Sequence, residues 1–241
     1  MLRRAAHTVT RTMEKVTFGN GLPGYEIGEK TAPGLIVIQE WWGVNDIIKN
    51  HAETLSKDGF RCLIPDLYKG KIGVDAEEAS HLMNNLDFKN AIEEIKQAVD
   101  YLRSSGSNKV GAVGFCMGGA LTFCTAQHAG VDAAAPFYGL PPAAICQVEA
   151  IKVPVEAHFG LLDKIEGFSD PKTAKEAEEK MKAAGVPAAF HYYESAGHSF
   201  FNANAPGGPE ALTKYGYPIP TQEEVNLSHS RVVSFFKKHL A

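Results

Sequence analysis

One cysteine of this sequence stands in a setting that could make it a nucleophile. Cys116 has a glycine two residues before it and another two residues after it, in the form G-x-C-x-G between a predicted strand and a predicted helix. This is the spacing of a nucleophile elbow, with cysteine where serine is usual. Side chains at Gly114 and Gly118 would clash in so tight a turn, and the following helix N-terminus favours a thiolate. The pattern predicts acyl transfer to Cys116, and the alternative is a helix entry whose glycines only allow close packing.

A thiol nucleophile of this kind needs a base and an acid that orients the base. In the α/β-hydrolase order, the acid and then the histidine follow the nucleophile along the chain. Asp163 and His198 each follow a predicted strand, so both are expected at the same sheet edge as Cys116. We therefore predict the triad Cys116, Asp163 and His198. Neighbouring acids and histidines inside strands are weaker alternatives: Glu166, Asp170, His158 and His191.

A carboxylate and two backbone N–H groups are expected to complete this site. Glu40 ends a buried strand and precedes Trp41 and Trp42, so burial should raise its pKa. It is expected beside Cys116, with the thiol as its hydrogen-bond donor, and the alternative is a surface glutamate at a strand exit. The N–H groups of Met117 and Trp41 are predicted to form the oxyanion hole.

Strands and helices alternate along the chain from Gly34 onward. Short apolar runs predict strands at 34–39, 60–64, 109–113, 131–137, 153–159 and 188–193. Helical spacing occurs at 44–55, 92–102, 118–126, 172–184 and 225–240, and loops are predicted at 65–75 and 202–221. This alternation predicts an α/β-hydrolase fold, with a mostly parallel, doubly wound sheet and helices on both faces. A single domain is predicted over 14–241.

The composition excludes several classes of protein. The 241 residues are 44% hydrophobic and 22% charged, with a net charge of −4, so neither wholesale disorder nor a nucleic-acid partner is indicated. No apolar stretch approaches the ~20 residues that a membrane helix needs. A small-molecule partner and a monomer or weak homodimer are expected. No zinc site is expected, because the four cysteines have no zinc-site spacing: Cys62, Cys116, Cys124 and Cys146.

The first thirteen residues carry three arginines and no acid, which is typical of a mitochondrial or plastid presequence. The segment is short for a presequence, and Met13 could equally be an alternative start. Four cysteines with no disulfide pattern indicate reduced thiols. A cytoplasmic location is therefore expected, with an organelle as the alternative if residues 1–13 are a targeting segment.

Together these motifs resemble the dienelactone hydrolase (carboxymethylenebutenolidase) family of cysteine α/β-hydrolases. The resemblance covers roughly residues 14–240, and its matching segments are 39–44, 64–68, 114–119, 159–163 and 196–200. It implies hydrolysis of the enol-lactone ring of dienelactones without a metal or organic cofactor. It also implies that Cys116 is the nucleophile, His198 the base and Asp163 its orienter. Glu40 would hold the resting thiol until substrate displaces it.

The substrate-binding residues depart from the family pattern. Family members bind the substrate carboxylate with an arginine four residues after the catalytic histidine, where this chain has Asn202. Lys69 and Lys71 could replace a second family arginine, but lysine lacks the forked geometry of a guanidinium. The sequence therefore predicts a changed substrate preference. Apart from Asn202, the predicted pocket is aromatic: Trp41, Trp42, Tyr68, Tyr138 and Phe200.

Three other functions remain open on the same residues. A thioesterase or promiscuous carboxylesterase would use the same triad and the same acyl transfer to Cys116. A non-catalytic ligand-binding protein would keep the fold without the chemistry, although no triad member is missing here. A peroxide sensor would oxidise Cys116 and would need a resolving cysteine, for which Cys124 is expected to lie too far away.

Overall fold

The computed structural model describes residues 12–241, so most of the proposed targeting segment lies outside the described residues. One eight-stranded sheet organises this part of the chain, in the order β1-β2-β4-β3-β5-β6-β7-β8. The first two strands pair antiparallel and β2 pairs antiparallel with β4, whereas all the later pairs are parallel. The strands are β1 Glu14–Phe18, β2 Leu22–Ile27, β3 Gly34–Ile38, β4 Arg61–Pro65, β5 Val110–Phe115, β6 Ala133–Phe137, β7 Val155–Gly160 and β8 Ala188–Tyr193.

Seven α-helices lie among the described residues and cover the sheet. They are α1 Asp46–Lys57, α2 Ala76–Asn84, α3 Phe88–Ser104, α4 Met117–His128, α5 Pro171–Ala183, α6 Gly208–Lys214 and α7 Gln222–Leu240. Helices α3, α4 and α5 contribute to one buried core, and α1 and α7 contribute to a second. This arrangement of helices on both faces confirms the predicted α/β-hydrolase fold class.

The central strands are apolar throughout because helices cover both of their faces. Every residue of β3, β4, β5 and β6 is buried. In a sheet with only one covered face, apolar and polar residues would alternate instead. The segments that leave the carboxyl ends of these strands therefore start from a sheet that is packed on both faces.

Of the two predicted loops, only the second contains a helix. Residues 65–75 are followed by α2, which is capped by the side chain of Asp75 accepting from Glu78 N–H. The predicted loop at 202–221 contains α6 and part of a short 3₁₀ turn, Phe200–Asn204. Proline and glycine in that stretch are compatible with helix because Pro209 occupies the first turn, where its missing N–H is not needed.

Candidate active site

The turn at Cys116 has the strained geometry that its sequence predicts. Cys116 lies between β5 and α4 with φ 56° and ψ −118°, a conformation that is uncommon for a residue with a side chain. A Cβ atom on Gly114 would lie 2.2 Å from the carbonyl oxygen of Gly118. A Cβ atom on Gly118 would lie 2.4 Å from the carbonyl oxygen of Ile38. Glycine is therefore required on both sides of the cysteine.

Three side chains from separate strand ends form one hydrogen-bonded line. The Nε2 atom of His198 lies 3.1 Å from the Sγ atom of Cys116, and its Nδ1 atom lies 2.8 Å from Oδ2 of Asp163. His198 and Asp163 are almost fully buried, while Cys116 is partly accessible. The structure thus brings together the nucleophile, base and acid that the sequence predicts.

The loop between β7 and α5 supplies the acid and a further residue. The other carboxylate oxygen of Asp163 accepts a hydrogen bond from the N–H of Ile165, which fixes the orientation of the carboxylate. The hydroxyl of Ser169 lies 3.1 Å from Nδ1 of His198 and is completely buried. Sequence reasoning missed Ser169, because a serine in a loop carries no distinctive pattern.

The charges of this line control the protonation of the histidine. Burial alone would lower the pKa of His198, but the charge of Cys116 and the hydrogen bond that His198 donates to Asp163 outweigh burial and raise the pKa to about 10. A histidine with this pKa keeps its proton at neutral pH when it faces the cysteine sulfur. The arrangement can therefore accept a proton from the thiol and hold it for a leaving group.

The alternative acids and histidines lie elsewhere. Glu166 is exposed, and the side chain of Asp170 caps α5 by accepting from the N–H groups of Lys172 and Thr173. His158 and His191 flank Glu156 on the neighbouring strands β7 and β8, at 3.4 Å from its two carboxylate oxygens. Neither histidine lies in the line through Cys116.

Glu40 is buried, as expected, but its hydrogen-bond donors are not the expected one. The hydroxyl of Ser199 donates to Oε1 at 3.1 Å, and Nδ2 of Asn202 donates to Oε2 at 3.0 Å. The thiol of Cys116 is instead paired with His198. The expected thiol–Glu40 hydrogen bond is therefore wrong for this structure, because the turn after His198 supplies both donors to the carboxylate. Burial raises the pKa of Glu40, although the hydrogen bond from Asn202 opposes the rise.

Asn202 belongs to a buried polar chain. Its Oδ1 atom lies 2.9 Å from Nε2 of His51, and its amide nitrogen donates to Glu40. Because the amide oxygen can only accept, His51 must donate from Nε2. Burial lowers the pKa of His51 to about 4, which keeps the ring neutral. Both polar ends of Asn202 are therefore already satisfied within the protein.

The predicted oxyanion donors have no competing backbone acceptor among residues 12–241. Met117 begins α4, and Trp41 follows β3 at the adjacent strand end. Neither N–H donates to a backbone carbonyl in the described part of the chain. Free N–H groups at a helix start and at a neighbouring strand exit are suited to bind a developing oxyanion.

Two cavities flank the triad, and Trp41 and Tyr217 line both of them. The first, which we call the sulfur cavity, has a volume of about 570 Å³ and an almost entirely apolar lining: Trp41, Met83, Phe88, Cys116, Met117, Ala120, Leu140, Pro142, Ile145, Ile165, Gly167, Phe168, His198 and Tyr217. The second, the Glu40 cavity, has a volume of about 240 Å³, and its lining includes Glu40, Trp42, Asn45, Ser199, Asn202, Lys214 and Tyr215.

The predicted pocket residues separate into three groups. Trp42 and Asn202 line the Glu40 cavity and not the sulfur cavity. Tyr138 and Phe200 are fully buried in the core and line neither cavity, which corrects the expectation for both. Tyr68 also lines neither, because its hydroxyl is directed to the sulfur of Met117 at 3.4 Å. Aromatic residues near a strand end are equally suited to a core, so sequence could not separate these cases.

Two searches of the described residues gave negative results. Within residues 12–241, no group of three or more histidine, cysteine, aspartate and glutamate side chains is arranged to hold a metal ion. In the same part of the chain, no helix has the length and apolar character needed to cross a membrane.

Comparison with known proteins gives consistent matches. The sequence profile of the dienelactone hydrolase family matches residues 22–240. Protein usf of Aquifex pyrophilus is 32% identical over 220 residues, which cover 86% of this chain and 89% of that protein. The carboxymethylenebutenolidase of Pseudomonas putida is 29% identical over 188 residues, covering 73% and 78% of the two chains. A solved structure of a dienelactone hydrolase-like promiscuous phosphotriesterase from metagenomic libraries shares the fold, with a TM-score of 0.80, 24% identity and coverage of 95% and 99%.

Proposed function

The chain belongs to the dienelactone hydrolase family of hydrolases, and from this premise we propose that it cleaves lactones or small carboxylic esters through an acyl-cysteine intermediate. The observation that carries the proposal is the hydrogen-bonded line from Cys116 through His198 to Asp163. A nucleophile, a base within hydrogen-bond reach and a group that orients the base are the parts that acyl transfer needs.

The first half of the reaction forms a thioester on the enzyme. The sulfur of Cys116 attacks the carbonyl carbon, while His198 holds the proton that the thiol has given up. The carbon–oxygen bond of the ester then breaks, and His198 gives that proton to the departing oxygen. In a lactone the departing hydroxyl stays attached to the acyl group, so no fragment leaves at this stage.

The second half releases the acid. A water molecule attacks the thioester carbon, and His198 takes one proton from it. The carbon–sulfur bond breaks, and the carboxylic acid and the thiol of Cys116 are regenerated. During both halves, the N–H groups of Met117 and Trp41 would stabilise the oxyanion of the tetrahedral intermediate, a contribution of about 3–4 kcal/mol per donor in related chemistry.

Glu40 is assigned a positioning role. Its carboxylate binds Ser199 and Asn202, which both belong to the turn that follows His198. Ser199 adopts a left-handed conformation with φ 59°, so the turn has a backbone strain that these two hydrogen bonds can offset. The negative charge of Glu40 also interacts favourably with protonated His198. In this role Glu40 orients the base and stabilises its charged form.

The test is the hydrolysis of phenyl acetate by purified wild type and Cys116→Ala. We expect kcat/KM to fall by roughly 10⁴-fold or more, because a triad acts as a unit. Cys62→Ala is the matched control, because Cys62 lies in β4 outside both cavities and should leave kcat/KM within about threefold of wild type. Near-normal activity of a folded Cys116→Ala protein would reject the cysteine mechanism. An acetyl thioester run in parallel measures thioesterase activity on the same triad.

A further inference from the structure

The sulfur cavity carries information about the substrate that the triad alone does not. We infer that the enzyme prefers neutral esters and lactones whose acyl group is apolar and several carbons long, and that it rejects acyl groups with a terminal carboxylate. This inference rests on the proposed function, because it concerns the acyl group that Cys116 would carry.

The position of the acyl group follows from the position of the sulfur. Cys116 lines the sulfur cavity and does not line the Glu40 cavity. An acyl group bonded to Sγ must start in the space that this atom faces. The acyl chain of the intermediate therefore extends into the sulfur cavity.

The lining of this cavity has no cation free to pair with a substrate carboxylate, because protonated His198 is already paired with Asp163 and Cys116. Apart from Cys116 and His198, none of its lining residues is an acid, lysine, arginine or histidine, and the hydroxyl of Tyr217 is among the few other polar groups. Met83 and Phe88 come from the α2–α3 junction, while Leu140 and Ile145 come from the loop after β6. An ionised carboxylate buried among these side chains would lose its hydration without gaining a partner.

Two lysines, Lys69 and Lys214, have contacts elsewhere. Lys69 forms an ion pair with Glu94. Lys214 lines the Glu40 cavity, and its ammonium group lies 5.3 Å from the centre of the Tyr215 ring. The buried acids near the sulfur, Glu40 and Asp163, would repel a second negative charge. Charge and desolvation therefore act in the same direction.

The volume allows a chain considerably longer than acetyl. At about 570 Å³, the sulfur cavity lies within the range of small-molecule sites, about 300–1,000 Å³. Each methylene group that moves from water to an apolar site contributes about 0.8 kcal/mol, which corresponds to roughly fourfold in kcat/KM. The gain should continue along a series of acyl chains until the cavity is filled.

The experiment compares phenyl esters that differ only in the acyl group. We expect kcat/KM to rise about fourfold per methylene from acetate to hexanoate. Monophenyl adipate, which replaces the terminal methyl of the hexanoyl group by a carboxylate, should be at least about 100-fold poorer than phenyl hexanoate. A flat or falling series, or equal rates for hexanoate and adipate, would overturn the inference.

Two arginine variants on α2 test where the discrimination arises. Met83→Arg places a cation in the cavity lining and should shift the adipate-to-hexanoate ratio toward adipate by about 10-fold or more. Asn84→Arg adds the same charge at the next position, which is exposed and outside the lining, and should leave the ratio within about twofold. Equal shifts in both variants would show that general charge attraction, rather than the cavity, sets the preference.

Failure of the proposed function gives a different result. If a folded Cys116→Ala protein hydrolyses phenyl acetate as wild type does, or if wild type hydrolyses none of the phenyl esters, both the mechanism and this inference are rejected. If hydrolysis of phenyl acetate depends on Cys116 but the chain-length and carboxylate effects are absent, the mechanism stands and only the substrate class is wrong.

Discussion

The two cavities beside the triad share the walls Trp41 and Tyr217 but have opposite character. The sulfur cavity is apolar and contains the reactive atoms. The Glu40 cavity contains a buried carboxylate whose oxygens accept from Ser199 and Asn202. In the proposed function, Trp41 and Tyr217 therefore separate the space for the substrate from the polar groups that position the base.

The difference shows how a buried carboxylate can lie near a nucleophile without binding it. Glu40 follows β3 and Cys116 follows β5, and these adjacent strands pair Ile38 with Gly114, so both residues leave neighbouring strand ends. The hydrogen-bond partners of Glu40 and of Cys116 decide the direction of each side chain. Here the turn after His198 provides two donors to Glu40, and His198 itself pairs with the sulfur. Substitutions beside the sulfur cavity and beside the Glu40 cavity should consequently have different kinds of effect.

Among variants that keep Cys116, the largest effect is expected for the acid of the triad. Asp163→Asn should lower kcat/KM by about 10³–10⁴-fold, because an amide that donates to Nδ1 would favour the wrong tautomer of His198. Asp170→Asn is the matched control, since Asp170 caps α5 and asparagine is an equally good cap. It should leave both kcat/KM and the denaturation midpoint close to wild type. A similar loss of activity in the two variants would contradict the assignment of Asp163.

A smaller effect is expected for Glu40, which lines the cavity on the other side of Trp41 and Tyr217. Glu40→Gln removes a negative charge that favours protonated His198, so the pKa of His198 should fall. If His198 must be protonated to release the leaving group, activity is lost as pH rises through this pKa. The alkaline limb of the kcat/KM–pH profile should therefore move to lower pH, and kcat/KM at neutral pH should fall by about 10- to 100-fold.

The double variant Glu40→Gln with Asn202→Asp separates charge from hydrogen bonding. It places the amide at position 40 and the carboxylate at position 202. Hydrogen bonds from His51 and from the new amide to the carboxylate can then form, while the negative charge moves from position 40 to position 202. We expect it to recover stability lost by Glu40→Gln but to recover activity only in part. A pH profile for Glu40→Gln that overlies the wild-type profile would show that Glu40 has no electrostatic role.

The smallest effect concerns stability in acid. The pKa of His51 is about 4 in the folded protein and about 6.5 when unfolded, so between these values only the unfolded chain binds the extra proton. Its contribution to stability is present at higher pH and declines as pH falls below about 6.5. Between pH 7 and 5.5 the loss should be about 1 kcal/mol.

Urea unfolding at these two pH values measures this loss. His51→Gln keeps a donor toward Asn202 but has no titrating ring, so its unfolding free energy should change less on acidification than that of wild type. His81→Gln is the control because His81 is exposed on α2, and it should behave as wild type does. An identical pH dependence for His51→Gln and wild type would show that the protonation of His51 does not contribute to the stability change.

The sequence was sufficient for the parts of the site that depend on local spacing. The glycines around Cys116 are required by contacts within one turn, as the 2.2 Å distance from a Cβ on Gly114 to Gly118 demonstrates. Asp163 and His198 could be predicted because parallel strands deliver their carboxyl ends to one edge of the sheet. The antiparallel hairpin of β1 and β2 was not predicted, because β1 is largely exposed and neither strand has a continuous apolar run.

The partners of Glu40 and the lining of the sulfur cavity could not be predicted. Ser199 and Asn202 reach Glu40 across more than 150 positions of sequence, through a turn with a left-handed residue. Met83 and Phe88 line the cavity because α2 and α3 pack over it, and no local pattern around either residue indicates this contact. Side-chain direction in the folded protein, rather than residue type, decides these cases.

The most direct test of the central claim is to trap the acyl group on the enzyme. Phenyl hexanoate is mixed with excess wild-type enzyme, quenched in acid during the first turnover, and digested for mass spectrometry. The tryptic peptide from Val110 to Lys152 contains three of the four cysteines, so fragment spectra must assign the label. The account predicts a hexanoyl group on Cys116 that is absent from the Cys116→Ala protein. Release of phenol in the first turnover with no acyl group on Cys116, or with the acyl group on another residue, would contradict it.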